Sequence, residues 1–163
     1  MTLVVADWEL LRKALAEGLE CRIEGFTGDF AFLSNFFTSP IEVRGILFPT
    51  VEHAYQAAKT TDPAERQQIV ALHSPGQAKR AGQKLQLREG WETRKLSVME
   101  ELVRLKFATH AELRDKLVAA GSCHLEETNT WGDRFWGVCQ GEGENHLGRI
   151  LMRTREHARG QGG

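Results

Sequence analysis

The stretch Phe48-Pro49-Thr50-Val51-Glu52-His53-Ala54-Tyr55-Gln56-Ala57-Ala58-Lys59 decides how this chain is read. It predicts a helix over 50–60. Thr50 stands where a hydroxyl can accept a bond from a first-turn N–H. Val51, Ala54, Tyr55 and Ala58 recur at helical spacing and form one apolar stripe. Glu52, Gln56 and Lys59 stand at i, i+4 and i+7 and form a polar stripe beside it. Such a stripe suits the wall of a cleft, but pattern alone favours the solvated face that helices of globular domains ordinarily carry.

Outward from this helix the elements follow local signals. On its N-terminal side, Ile41-Glu42-Val43 and Ile46-Leu47-Phe48 flank Arg44-Gly45 and predict a hairpin. Upstream, Phe30-Ala31-Phe32-Leu33-Ser34-Asn35-Phe36-Phe37 is too aromatic for a plain loop, residues 22–48 lack helical periodicity, and 5–17 read as an amphipathic helix. Downstream, Asp62-Pro63 and Ser74-Pro75 each pair a capping side chain with a first-turn proline, predicting helices to about His73 and Lys84. Further helices are expected over 92–108, over 110–120 with Gly121 ending it, and from Asn145 to Ala158. A strand is expected near Cys123–Glu127, and 128–145 reads as loop with a strand-like Phe135-Trp136-Gly137-Val138. The sum is a mostly helical α+β fold with a small β hairpin or sheet, in one domain over 1–163, with 159–163 as a frayed tail.

Composition narrows the function. The 163 residues carry a formal net charge of −1 and 41% hydrophobic side chains. That balance argues against a protein built to grip long nucleic acid, though not against a pocket for one nucleotide. Cys21, Cys123 and Cys139 are widely spaced, without a C-x-x-C pair, so buried free thiols in a reducing compartment are expected. No metal site and no cofactor are expected. The N-terminus lacks a basic n-region, and no apolar run approaches the roughly 20 residues that span a bilayer, so a cytoplasmic protein without membrane contact is expected.

Several residues have the chemistry of a site. Glu52 lies in the first helical turn, where the macrodipole favours a carboxylate. Lys59 lies about 10 Å further along the axis, beyond direct i, i+4 pairing, which leaves room for a small ligand between the two long side chains. Phe36, Trp91, Trp131, Phe135 and Trp136 could stack on a flat base, although large aromatics more often serve the core. Asp133 stands between Trp131 and Trp136 in Trp131-Gly132-Asp133-Arg134-Phe135-Trp136-Gly137, with Glu127 as a second carboxylate nearby. Lys79-Arg80, followed by Gly82, could meet a phosphate. Gly141-Glu142-Gly143-Glu144-Asn145-His146-Leu147-Gly148 is not a dinucleotide fingerprint but could let backbone approach a ligand.

Taken in order, Ser34-Asn35-Phe36, Ser39-Pro40-Ile41, Gly45, Phe48-Pro49-Thr50-x-Glu52-His53, Gln56-x-x-Lys59, Ser74-Pro75, Arg80-x-Gly82, Trp91, Lys106-Phe107, Asp133-x-x-Trp136-Gly137 and Gly143-x-Asn145-x-Leu147-Gly148 resemble the NADAR/YbiA-like family of N-glycosidases. The resemblance covers about 26–158. It implies a single YbiA-like domain that cleaves a C–N bond between ribose, or ribose phosphate, and a nitrogen heterocycle. It implies Glu52, Lys59 and Asp133 as catalytic residues and gives Asn35 the place of the family's Ser-Asn-Phe asparagine; from the residues themselves, Phe36, Gln56, Arg80, Trp91, Glu127, Trp131, Trp136 and Asn145 are the further substrate-binding candidates. One branch of the family acts on ribosylaminopyrimidine intermediates of riboflavin synthesis, and another removes ADP-ribose from guanine in DNA. The expected partner is therefore a small nucleotide-like molecule, with ADP-ribosylated DNA as the alternative and a non-catalytic reader of ADP-ribose or NAD as a different class. Trp131 and Gly132 depart from the more polar residues expected there. The sequence leaves the oligomeric state open.

Overall fold

The structure, a computed structural model, describes residues Met1–Gln161. The α+β, mostly helical class expected from the sequence is what is seen. Contacts divide the chain into two compact units, Asn35–His110 and a second made of Met1–Ser34 with the chain from Ala111 onward.

The first unit is built around the opening helix. Strands β3 (Ile41–Val43) and β4 (Ile46–Phe48) form the expected antiparallel hairpin, with Val43 opposite Ile46. Arg44 and Gly45 both have positive φ, 49° and 83°, the geometry whose twist matches the flanking strands. Helix α2 (Val51–Ala57) follows, then α3 (Pro63–Val70), α4 (Pro75–Gly82) and α5 (Trp91–Thr109). The caps read from sequence are formed: Thr50, Asp62 and Ser74 each accept a first-turn N–H, and Ser74 with Gln77 completes a capping box. Helix α3 ends three residues before the expected His73. Helix α2 packs on α3, α4, α5 and β4, so every residue from Val51 to Ala57 is buried.

The second unit holds a three-stranded parallel sheet in the order β1-β2-β5, made of β1 (Leu3–Val4), β2 (Cys21–Glu24) and β5 (His124–Glu126). Only β5 was expected. Strands β1 and β2 are too short to show period-2 alternation and exist through pairing with distant neighbours. Helix α1 (Trp8–Ala16) starts three residues later than expected, because Val5 donates its N–H to Arg22 in the sheet and Asp7 caps Leu10. The aromatic stretch begins as a 3-10 turn, Gly28–Leu33, that buries Phe30, Phe32 and Leu33. Helix α6 (Ala111–Ala119) packs on α7 (His146–Gln161), and α7 lies on β5.

The expected loop 128–145 contains a short parallel pair, β6 (Thr128–Asn129) and β7 (Val138–Cys139). The frayed tail is corrected in part: Arg159, Gly160 and Gln161 continue α7, and Gly162 and Gly163 lie outside the described residues. The three cysteines are free and buried. No helix among the described residues is long and apolar enough to cross a membrane.

Candidate active site

The polar stripe of α2 is not a solvated face. Glu52 is 7% exposed and Gln56 3%. Pattern alone pointed the other way because periodicity reports which residues share a side, whereas burial depends on what packs there. Four elements surround α2, so its polar side is enclosed as well as its apolar one.

The helix start is locked by bonds made by its neighbours and by backbone. Thr50 Oγ1 accepts the His53 N–H at 3.1 Å. His53 Nε2 lies 3.0 Å from the Leu72 carbonyl, which can only accept, so Nε2 carries the proton and Nδ1 accepts from the Thr50 hydroxyl at 2.8 Å. The Glu52 N–H donates to the Asn35 carbonyl at 3.1 Å, and Asn35 Nδ2 donates to Met99 Sδ at 3.3 Å. Asn35 therefore positions the first turn of α2 through its backbone and is itself buried.

Along the stripe, Gln56 Nε2 donates to Glu52 Oε1 at 2.7 Å. This fixes the amide, because the reverse orientation would set two oxygens against each other. Gln56 Oε1 is buried and has no hydrogen bond among the described residues. It rests against Gly82, where a Cβ would come within 1.8 Å of it. Gly82 was read as an adjunct to Lys79-Arg80; in the fold it makes room for the Gln56 amide. One turn on, Lys59 is half-buried. Burial lowers its pKa from the ordinary lysine value, the Glu52 carboxylate opposes that shift, and the Lys79 and Lys95 ammonium groups add to it, with Glu92 acting in the Glu52 direction. Its Nζ lies 5.5 Å from the centroid of the Tyr55 ring, which in turn packs at 5.4 Å on Trp91. Trp91 is buried, so its ring braces Tyr55 inside the unit, while Arg80 and Phe36 are exposed. No local pattern points to Lys95 and Glu92. They stand one α5 turn apart, paired at 2.7 Å, and reach Lys59 only through tertiary packing.

In the other unit, the expected site residues are mostly committed to backbone. Asp133 Oδ1 accepts the N–H groups of Phe135 at 3.1 Å and Trp136 at 2.9 Å. Its own N–H donates to Asn129 Oδ1 at 3.0 Å, and Asn129 Nδ2 donates to the Asp133 carbonyl at 2.8 Å. Asp133 Oδ2 takes no hydrogen bond among the described residues. Asn145, in the left-handed region at φ 52°, joins β5 to α7: Nδ2 donates to the Leu125 carbonyl at 2.9 Å and Oδ1 accepts the Glu127 N–H at 3.0 Å. Asn129 went unremarked in sequence; an Asn four residues before an Asp in a turn-rich loop was the available signal. Trp136 stands edge-on to Phe135 at 4.8 Å, Glu127 is half-buried, and Trp131 is 61% exposed.

The NADAR domain family matches residues 25–159. The chain belongs to the NADAR domain family. Among its relatives, the N-glycosidase YbiA of Escherichia coli strain K12 is 42% identical over 131 residues, 78% of this chain and 81% of that protein. The riboflavin biosynthesis protein VVA0006 of Vibrio vulnificus is 38% identical over 128 residues, which is 77% of this chain but 35% of that longer protein. The NMR structure of E. coli YbiA superposes with a TM-score of 0.76 at 39% identity, covering 85% of each chain. The NADAR match covers both units, so Glu52 and Asp133 both lie inside the family domain.

Proposed function

We propose that this N-glycosyl hydrolase cleaves the bond between ribose phosphate and an aminopyrimidine, a ribosylated intermediate of riboflavin synthesis. The enzyme class follows from the NADAR domain and the N-glycosidase relatives. The substrate rests on the riboflavin-related name of the Vibrio relative and on the charge around Lys59. One observation carries the site: a buried carboxylate, Glu52, held by Gln56 at 2.7 Å and acting electrostatically on Lys59 about two turns further along.

Breaking a ribosyl C–N bond develops positive charge at the anomeric carbon. Glu52, in surroundings of low polarity, stabilises that charge and orients the attacking water. The C–N electrons leave with the nitrogen, which takes a proton from Lys59. The water oxygen bonds the anomeric carbon, and its released proton restores Lys59. A lysine below its ordinary pKa gives up a proton more readily than a solvated one, which suits this role. Lys79 and Lys95 supply charge for the substrate phosphate. We further propose a part in turnover for Asp133 and a part in base binding for Phe36, Trp131 and Trp136, each to be tested by substitution.

The test is incubation with ribosylaminopyrimidine phosphate, ADP-ribosyl-guanine DNA and NAD in parallel, with mass detection of the released base. The expected result is free aminopyrimidine from the first. Guanine-bearing DNA freed of ADP-ribose, with no aminopyrimidine, would move the enzyme to the other branch. No release from any of the three would leave a binding module.

A further inference from the structure

Helix α2 borders a cavity on its other side. Opposite Glu52 and Gln56, its Ala54, Ala57 and Ala58 wall a cavity of about 170 Å³. Phe48 of the hairpin and Val98 and Leu102 of α5 complete an apolar floor. Three alanines in one wall keep the space open; any larger aliphatic side chain there would fill it. Arg44, Arg66 and Arg88 stand around this floor with a single acid, Glu101.

These arginines are not absorbed by the fold. The Arg44 and Arg88 guanidinium groups form no ion pair or hydrogen bond among the described residues. Arg66 has only its Nε bond to the Thr60 carbonyl at 2.9 Å, which aims the group without neutralising it. Glu101 likewise has no ion-pair partner among the described residues. Arg44 is placed by the hairpin turn, in the left-handed conformation, and Arg88 is tethered through its backbone N–H to the Lys59 carbonyl at 2.8 Å. The cavity therefore combines a half-open pocket with an apolar floor and excess positive charge in forked, bidentate donors at its rim.

We infer that this cavity is a second binding site, separate from the Glu52 face, for a small organic acid with one compact apolar body and one carboxylate. The size agrees: a cavity of about 150 Å³ admits a benzene-sized ring. The apolar body lies against the three alanines and Leu102, and the carboxylate meets Arg44 and Arg88.

The experiment is a titration of isotope-labelled protein with sodium benzoate, followed by amide chemical shifts, with benzamide as the uncharged counterpart. Benzoate is expected to give saturable shifts at Ala54, Ala57, Ala58, Val98 and Leu102, and benzamide to bind at least roughly tenfold more weakly. The double substitution Arg44→Gln, Arg88→Gln is expected to weaken benzoate at least roughly tenfold while the melting temperature stays put. Glu101→Gln, an exposed change independent of those two, is expected to tighten it severalfold. Absence of saturable shifts at millimolar benzoate, equal binding of benzamide, or unchanged affinity in either variant would overturn the site. Base release by the Glu52 face is untouched by any of these outcomes.

Discussion

Helix α2 and the loop around Asp133 both carry acids and amides, but they use them differently. On α2, Glu52 and Gln56 bond each other, side chain to side chain, inside a helix whose backbone needs neither. In the loop, Asp133, Asn129 and Asn145 bond almost wholly to main-chain groups. A helix satisfies its own amides and leaves polar side chains for chemistry, whereas an irregular loop draws its polar side chains into holding the backbone. The contrast separates acids and amides that bond each other from those spent on holding backbone.

Glu52→Gln should break the comparison most sharply. The amide oxygen still accepts from Gln56, so the fold is kept, but the charge is gone. Turnover is expected to fall on the order of 10²-fold or more, with the melting temperature close to wild type. Wild-type rates on the substrate found active would remove Glu52 from the chemistry.

The Asp133 pair separates two roles at one residue. Asp133→Asn keeps an oxygen for the Phe135 and Trp136 N–H groups, so activity should drop while the loop survives. Asp133→Ala loses both and should also destabilise by about 1–3 kcal/mol, since two N–H groups lose their acceptor. Equal melting temperatures for the two variants would mean the Oδ1 bonds do not hold the loop.

Gly82→Ala probes the support of the α2 face. A Cβ 1.8 Å from Gln56 Oε1 forces the amide out of place, and overpacking of this kind costs about 1–3 kcal/mol. A melting temperature at or above wild type would show that Gln56 has another position available at no cost.

Lys106, away from both regions, gives a different kind of check. It is 1% exposed, with Nζ 5.2 Å from the Phe107 centroid and 5.7 Å from that of Phe37, and burial lowers its pKa from 10.5 to about 7. Between those two values the unfolded chain binds the extra proton, so stability should rise with pH across that window, the penalty being fully present below about 7. Lys106→Met should flatten the rise in melts taken from neutral to alkaline pH. An unchanged slope would assign the pH dependence elsewhere.

The sequence revealed what local chemistry controls. Thr50, Asp62 and Ser74 announced their helices because a cap is a three-residue interaction. Arg44-Gly45 announced the hairpin for the same reason. Strands β1 and β2 were hidden because their definition lies in partners far along the chain. Glu52, Gln56 and Lys59 were found as a stripe, but its burial, the service of Gly82 to Gln56 and the approach of Lys95 all depend on packing that no local pattern encodes. Asp133 was found with its neighbours Trp131 and Trp136, yet its structural role depends on Asn129, which the pattern passed over.

The Lys59 side chain offers the most direct test of the charge-coupled α2 face. Its Nζ titration can be followed by NMR of lysine-labelled protein, in the wild type and in Glu52→Gln. The expected result is a pKa below the ordinary 10.5 in the wild type, and a lower one still in Glu52→Gln, because the carboxylate that opposes the shift is removed. A lysine that titrates at its ordinary value, or one that Glu52→Gln leaves unmoved, would contradict the coupling between Glu52 and Lys59 on which the proposed active site rests.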